Sequence, residues 1–147
     1  MLTRRKALVV MTCALATPTF AASPPIFVNA NRIAINDYDP VAYFTQSRPV
    51  AGVSQHSVEW MGAIWHFSNA QNQSRFASTP DAFAPQFGGY CAYAASKGAI
   101  APTIPEAWTV YKGQLFLNAN LKARELWLRD IPGNIALANG FWPGILS

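Results

Sequence analysis

The sequence is poor in the side chains that build cross-links and metal cages. Its 147 residues include two cysteines and two histidines: Cys13, Cys91, His56 and His66. Cys13 falls in a predicted export signal, so we expect the mature chain to keep Cys91 alone. This excludes an intramolecular disulfide in the mature protein. A structural zinc site is also hard to assemble, because it takes about four Cys, His or carboxylate ligands.

Common catalytic motifs are absent as well. The sequence has no phosphate-binding glycine loop, no Cys-x-x-Cys, no His-Glu-x-x-His and no Gly-x-Ser-x-Gly. These absences exclude the usual nucleotide-hydrolase, thiol-oxidoreductase, zinc-protease and α/β-hydrolase sites. A Cys–His pair remains as an enzymatic alternative, with the thiol as nucleophile and the imidazole as base. We therefore expect a binding protein rather than an enzyme.

Charge is scarce and evenly spread. Asp, Glu, Lys and Arg make up 12% of the chain, about half the usual share. Three of the eleven Lys and Arg residues lie in the predicted signal, so eight remain beside all seven acidic residues and the mature net charge is +1. No mature segment clusters Lys and Arg, which argues against nucleic-acid binding.

The first residues are typical of a secretory signal. The basic run Arg4-Arg5-Lys6 precedes an apolar stretch at 7–16, and small residues surround Ala21. This pattern predicts a signal peptide over 1–21 and leaves open the general secretory and twin-arginine routes. The apolar stretch is shorter than the ~20 residues that span a bilayer, so we expect no stable membrane insertion after signal removal. The predicted product is periplasmic, with a single domain over 22–147.

Apolar and aromatic residues are abundant, at 51% and 13% of the chain. Eleven prolines among short patterned segments favour an α+β domain over a helix bundle. Two pairs of segments read as strands around two-residue turns: 57–60 with 63–68, and 108–111 with 114–117. We expect these hairpins to form a small antiparallel sheet packed by short helices. The predicted core comprises Trp60, Trp65, Phe67, Trp108, Leu115, Leu117, Leu126 and Trp127.

Short helices are predicted from their start and stop signals. Asp39-Pro40, Asn69 and Thr79-Pro80 each mark a helix start. Further helices are predicted over 90–96, which ends before Gly98, and over 131–142. An apolar stripe at helical spacing follows the second hairpin, at Ala119, Ala123, Leu126 and Trp127.

Several of these segments together resemble the YHS-domain family, in particular its exported stand-alone bacterial branch. The resemblance rests on DPVAYF at 39–44, EWMGAIWHFS at 59–68 and APQFGGYCAY at 84–93, with Phe76, Pro80 and Phe83 between them. PEAW at 105–108 and DIPGNI at 130–135 also fit that branch. The match covers nearly all of the mature chain.

The resemblance implies binding of a transition metal, since YHS domains occur with heavy-metal transport and copper-handling proteins. Metal-associated relatives supply several cysteines, whereas this chain keeps Cys91 alone and has Trp65-His66-Phe67-Ser68 in place of the Tyr-His-Ser triplet. A low-coordinate Cu(I) site needs only a thiolate or thioether with one imidazole. Cys91 and His66 are then the candidate ligands, with Met61 as a thioether, for copper storage, delivery or sensing.

Other interpretations of the same residues remain open. Cys91 and His66 could simply be packed in the core, and His56 is expected to be solvated in a polar loop. Tyr43, Tyr90 and Tyr93 could line an aromatic cleft. The alternative function is then a non-metal small-ligand or protein-interaction module. The sequence identifies no protein partner.

Overall fold

The structure, a computed structural model, describes Thr12 and residues 22–147. The signal peptide predicted over 1–21 lies outside the described residues, apart from Thr12. In the described part, six α-helices and four strands follow one another as α1 (Ala42–Thr45), β1 (Val53–Trp60), β2 (Ala63–Phe67), α2 (Ala70–Ser78), α3 (Pro80–Phe83), α4 (Ala92–Ser96), β3 (Trp108–Tyr111), β4 (Gln114–Leu117), α5 (Leu121–Leu128) and α6 (Ile131–Phe141). This confirms the predicted α+β class.

The first hairpin pairs β1 with β2 around a tight turn. Met61 and Gly62 both have positive φ, 49° and 76°, as the two central residues of a type I′ turn require. The antiparallel register pairs Val58 with Trp65, and it is interrupted between Val53 and Ser57. The side chains of β2 alternate as predicted, and the face that carries Trp65 is fully buried.

The strand β1 is longer than predicted, which changes the position of His56. The strand begins at Val53 rather than at Ser57, because the register irregularity lets the chain continue pairing. His56 therefore lies in a strand and is half-buried, which corrects its expected place in a solvated loop. Its Nδ1 lies 3.3 Å from Oε1 of Gln73 on α2.

The second hairpin has the predicted bounds, and it lies between two hydrophobic clusters. The first cluster is built around Trp65, Phe67 and Phe76, and the second around Phe116 and Trp127. Leu115 and Leu117 point into the first cluster, whereas Phe116 points into the second. The alternation of a strand thus supplies both clusters from one segment. The two hairpins do not share one sheet as expected, since each forms its own two-stranded sheet.

The first cluster is aromatic, and the buried carboxylate of Asp39 hydrogen-bonds to the segments around it. Trp65 and Phe76 pack with their ring centroids 5.0 Å apart and their planes tilted by 35°. Asp39 is fully buried, and its Oδ1 accepts the backbone N–H of Val41 at 2.9 Å. Its Oδ2 accepts hydrogen bonds at 2.7–2.8 Å from the Ser68 N–H and hydroxyl and from the Asn72 amide. Asp39 thus binds the backbone just ahead of α1 and joins it to the end of β2 and to α2. The helix begins two residues later than predicted, because α1 starts at Ala42 with Val41 rather than Asp39 as its N-cap.

The second cluster is formed by α4, α5 and α6 against the second hairpin. Its buried residues are Phe87, Ala92, Ala95, Phe116, Trp127 and Ala138. The alanines on α4 and α6 let these helices approach closely, while the large Trp127 fills the space beside Phe116, 5.0 Å away between ring centroids. The predicted helical stripe is partly wrong, because α5 begins at Leu121 and Ala119 lies before its N-cap Asn120. Of the stripe, only Trp127 is fully buried, and the other members are half-buried.

The predicted core is largely confirmed. Trp65, Phe67, Leu115, Leu117 and Trp127 are buried. The other three predicted members, Trp60, Trp108 and Leu126, are half-buried. The helix predicted over 90–96 is shorter, because α4 begins at Ala92 with Cys91 as its N-cap. None of the helices in the described residues has the length and apolar character of a membrane-spanning segment.

Candidate functional site

A strained turn precedes α1 and holds one member of a polar pair. Ile35, Asn36 and Asp37 have φ values of 42°, 58° and 67°, a left-handed conformation that a β-branched residue such as Ile35 rarely adopts. The turn is fastened by a 2.6 Å hydrogen bond from the Asn36 amide to the Thr103 carbonyl. Backbone strain of this kind concentrates at functional sites, where surrounding contacts maintain it.

The turn brings Asp37 against His66 on β2. The Nδ1 atom of His66 lies 2.5 Å from Oδ1 of Asp37. Because a carboxylate can only accept, Nδ1–H donates and the lone pair of the neutral ring is left on Nε2. The His66 side chain is 9% exposed and that of Asp37 is 48% exposed. The pair therefore spans the boundary between the sheet and solvent.

The second ring nitrogen of His66 is available to a ligand. Nε2 makes no hydrogen bond to another described residue, and it is not among the fully enclosed polar atoms that lack a partner. It therefore keeps contact with solvent. An imidazole oriented by a carboxylate at one nitrogen and open at the other is the arrangement found around metal-ligating histidines.

Gly52 fixes the pair by close backbone packing. Its N–H donates to the Asp37 carbonyl at 2.8 Å. A Cβ at this position would lie 2.6 Å from the backbone carbon and the Cβ of His66. Only glycine fits here, because any side chain would push the turn that carries Asp37 away from the strand that carries His66.

Cys91 lies in a different environment, closed from solvent. It is 2% exposed, and its Sγ accepts the Ala94 N–H at 3.4 Å as the N-cap of α4. The thiol donates to Oδ1 of Asn118 at 3.5 Å, and the same oxygen accepts the Tyr93 N–H at 3.0 Å. Cys91 is thus buried, as simple packing predicts, but it has polar partners that packing alone does not require.

The second hairpin and the cluster packed against it contain three buried polar atoms that have no partner in the described residues. They are Nδ2 of Asn118, Oγ1 of Thr109 and Nε1 of Trp127. Thr109 pairs with Phe116 in the second hairpin, so the side chains of Thr109, Phe116 and Asn118 lie on the same face. The face toward the second cluster is therefore polar and incompletely hydrogen-bonded.

Met61 lies far from the imidazole along the first hairpin. It occupies the turn and is 51% exposed. His66 pairs with Ser57, three positions beyond the Ala63–Trp60 pair that closes the turn, which is roughly 10 Å along the strand. The structure thus places the three candidate ligands in three environments: a turn, a sheet surface and a buried helix cap.

The three candidate cleft tyrosines also differ in exposure. Tyr43 and Tyr90 are buried, and their hydroxyls donate to the carbonyls of Pro105 at 3.0 Å and Pro24 at 2.8 Å. Burial raises the pKa of both phenols, and Glu106 adds to the effect at Tyr43. Tyr93 is half-buried. No cleft forms between them in the described part of the chain.

The candidate ligands do not make a shared cage. Across Thr12 and residues 22–147, no three His, Cys, Asp or Glu side chains come together closely enough to hold a metal ion. A single copper ion bound jointly by Cys91, His66 and Met61 does not fit this placement. His66 alone fits, because its free Nε2 and its carboxylate partner suit a ligand for an open, low-coordinate site.

Two contacts of the candidate residues were missed by sequence reasoning. Asp37 and Asn118 are the partners of His66 and Cys91, at sequence separations of 29 and 27 residues. No local pattern marks Asn118, which follows a strand like many loop asparagines. Asp37 had one weak signal, since Asn36-Asp37 is a turn-forming dipeptide just ahead of the 39–44 segment.

Comparisons with protein-family models, with curated proteins and with solved structures find no significant match for this chain.

Proposed function

We propose that this is an exported YHS-domain protein that binds copper through His66, in a storage, delivery or sensing role. The observation that carries the proposal is the 2.5 Å contact between His66 Nδ1 and Asp37 Oδ1. It supports a ring with a fixed orientation and a free Nε2 at the protein surface. The sequence resemblance supports the choice of a transition metal, and the basic and apolar start supports export.

An open site with one protein ligand suits transfer of the metal ion to another molecule better than it suits catalysis. Structural metal sites are closed by about four protein ligands, whereas exchangeable ions keep positions for other donors. At this site the remaining positions are taken by water or by donors of a partner molecule. The thiol of Cys91 supports no catalytic alternative with His66, because its hydrogen-bond partner is Asn118.

The test is copper uptake by the mature protein, residues 22–147, under a competing chelator. Wild type is compared with His66→Gln and Asp37→Asn, and with His56→Gln as the matched control. We expect Asp37→Asn to weaken binding by about 10- to 100-fold, the usual loss when a histidine's outer partner is changed. His66→Gln should weaken it further, and His56→Gln should bind like wild type.

The remaining candidates are tested in the same titration. Cys91→Ser and Met61→Leu should take up copper as wild type does. Equal uptake by wild type and His66→Gln would remove His66 from any metal site. Loss of binding in Cys91→Ser with an unchanged melting curve would contradict the proposal and move the site to the thiol. A wild type that binds no copper would favour the non-metal interaction module.

A further inference from the structure

Helix α6 presents an apolar face to solvent. Leu137 and Phe141 lie one turn apart on this helix and are 51% and 44% exposed. Ala136 and Gly140 are exposed beside them, and a Cβ added at Gly140 would meet nothing within 4 Å. These four residues form what we call the α6 face. The solvent side of a surface helix ordinarily carries charged residues, whereas none occurs over 131–147. A contiguous exposed apolar face of this kind marks a contact surface.

The chain enters the fold beside the end of α6. The Ser23 N–H donates to the Leu146 carbonyl at 2.8 Å, and the Tyr90 hydroxyl donates to the Pro24 carbonyl at 2.8 Å. The Tyr90 ring packs in turn against Trp142, the C-cap of α6, with the ring centroids 6.3 Å apart. The preceding part of the chain is therefore joined to the fold at the C-terminal end of this helix.

The length of the preceding part of the chain suits the α6 face. Its stretch at 7–16 carries no charge and is apolar apart from Thr12, which is exposed. The six residues 17–22 separate this stretch from Ser23. Six extended residues span at most roughly 20 Å, and α6, with eleven residues, is about 16 Å long. The apolar stretch can therefore reach the whole length of the α6 face.

Charge favours one direction of the stretch along the helix. A chain that runs back from Ser23 along α6 brings the basic run Arg4-Arg5-Lys6 to the N-terminal end of the helix. Asp130, the N-cap at that end, is exposed, and its neighbour Arg129 is paired with Glu125 at 3.3 Å. Opposite charges then meet at this end, while two uncharged apolar surfaces meet along the helix.

We infer that the apolar stretch at 7–16 covers the α6 face in the uncleaved precursor, with the basic run toward Asp130, and that removal of the signal uncovers the face. The driving force is burial of apolar surface that the α6 face otherwise exposes to water. A second copy of the chain is the competing occupant, but it must find the face by diffusion. The stretch is tethered close to Ser23 and acts at an effective concentration on the order of millimolar. The inference does not depend on metal binding at His66.

Disulfide formation from Cys13, which lies within the apolar stretch, tests the inference. The full chain 1–147 is made by cell-free synthesis, so that the signal stays attached, and Cys91→Ser leaves Cys13 as the one native thiol. Leu137→Cys places a partner thiol on the α6 face. Asn139→Cys is the matched control, because Asn139 is exposed on the same helix but points about 160° away from Leu137 around the helix axis.

We expect the Leu137→Cys chain to form the intramolecular disulfide roughly tenfold faster than the Asn139→Cys chain, the order of preference that burial of one leucine side chain supports. Adding Leu15→Asp, which places a charge in the apolar stretch, should lower the rate to that of the control. Equal rates at the two positions, or a difference that persists with Leu15→Asp, would overturn the inference. Disulfide-linked dimers as the main product of Leu137→Cys would overturn it in favour of a second copy. Because no copper is present, each outcome leaves the proposed function standing.

Discussion

The two halves of the molecule hold their main candidate ligands, His66 and Cys91, in opposite environments. On the first hairpin, His66 is held by Asp37 at one nitrogen and meets solvent at the other. Beside the second hairpin, Cys91 is 2% exposed, and both its donor and its acceptor capacity are used inside the protein. Residue type alone made both the thiol and the imidazole candidate ligands. Access and hydrogen bonding favour the imidazole.

The same contrast extends to the polar groups of the two cores. In the first, the Trp65 indole donates to the Trp60 carbonyl at 3.1 Å, and the buried Asp39 is fully engaged. In the second, three buried polar atoms have no partner within the described residues. Completed polar networks fix one arrangement of the core. The buried polar groups named in the first half are therefore more fully hydrogen-bonded than those of the second.

The largest expected effect is loss of the central aromatic of the first core. Trp65→Ala should lower the free energy of unfolding by roughly 3–5 kcal/mol, the range for truncating a buried large aromatic residue. Chemical denaturation measures the change. Leu121→Ala is the control, because Leu121 is 62% exposed and should change stability by less than about 0.5 kcal/mol. Equal effects of the two substitutions would show that the core of the first hairpin is assigned incorrectly.

The pH dependence of stability tests the burial and hydrogen bonding of Tyr43 in the first half. Its pKa is raised by burial, so above pH ~10 the unfolded state releases the phenol proton while the folded state retains it. The contribution of Tyr43 to the free energy of unfolding is therefore fully present below about pH 10. Above that pH it falls by up to roughly 1.4 kcal/mol per pH unit. Tyr43→Phe should cost about 1 kcal/mol at neutral pH, because its hydrogen bond to Pro105 is lost.

The measurement is denaturant unfolding of wild type and Tyr43→Phe between pH 8 and 11.5. The wild-type advantage should shrink as pH rises above 10, and the two stability curves should converge or cross. An advantage that stayed constant over this range would mean that Tyr43 ionises as readily in the folded protein as in the unfolded chain.

A matched pair of conservative substitutions compares the two cores directly. Trp65→Phe removes an indole donor that has a partner, whereas Trp127→Phe removes one that has none in the described residues. Both indoles are fully buried, so the lost volume is the same. Trp65→Phe should therefore be more destabilising by about 1 kcal/mol, the net value of one hydrogen bond. The opposite order in urea unfolding would contradict the assigned difference between the networks.

The smallest expected effect concerns Cys91. A serine hydroxyl can donate to Asn118 and accept from Ala94, and serine is a favourable N-cap residue. Cys91→Ser should therefore change stability by less than about 1 kcal/mol, and Cys91→Ala should cost more because the cap is lost. Melting curves of the two variants measure the order. A serine variant less stable than the alanine variant would mean that the pocket is apolar and cannot use the hydroxyl.

The sequence was informative where structure is decided locally. Turn residues and alternation placed both hairpins, with the second hairpin at its observed bounds, and the start signals at Asn69 and Thr79-Pro80 placed the starts of α2 and α3. The separation into two sheets could not be predicted, because it depends on Leu115 and Phe116 entering different clusters. His66 was a candidate from its sequence context, but its partner Asp37 was not. The dipeptide Asn36-Asp37 indicates a turn, but it does not indicate that three successive non-glycine residues adopt a left-handed conformation.

The central claim is that one imidazole, that of His66, holds the metal through Nε2. Pulsed electron paramagnetic resonance of the Cu(II)-loaded mature protein tests it, because the remote nitrogen of a coordinated imidazole modulates the copper signal. We predict the modulation of a single imidazole in wild type, in Cys91→Ser and in His56→Gln, and none in His66→Gln. Undiminished imidazole modulation in His66→Gln would contradict the account.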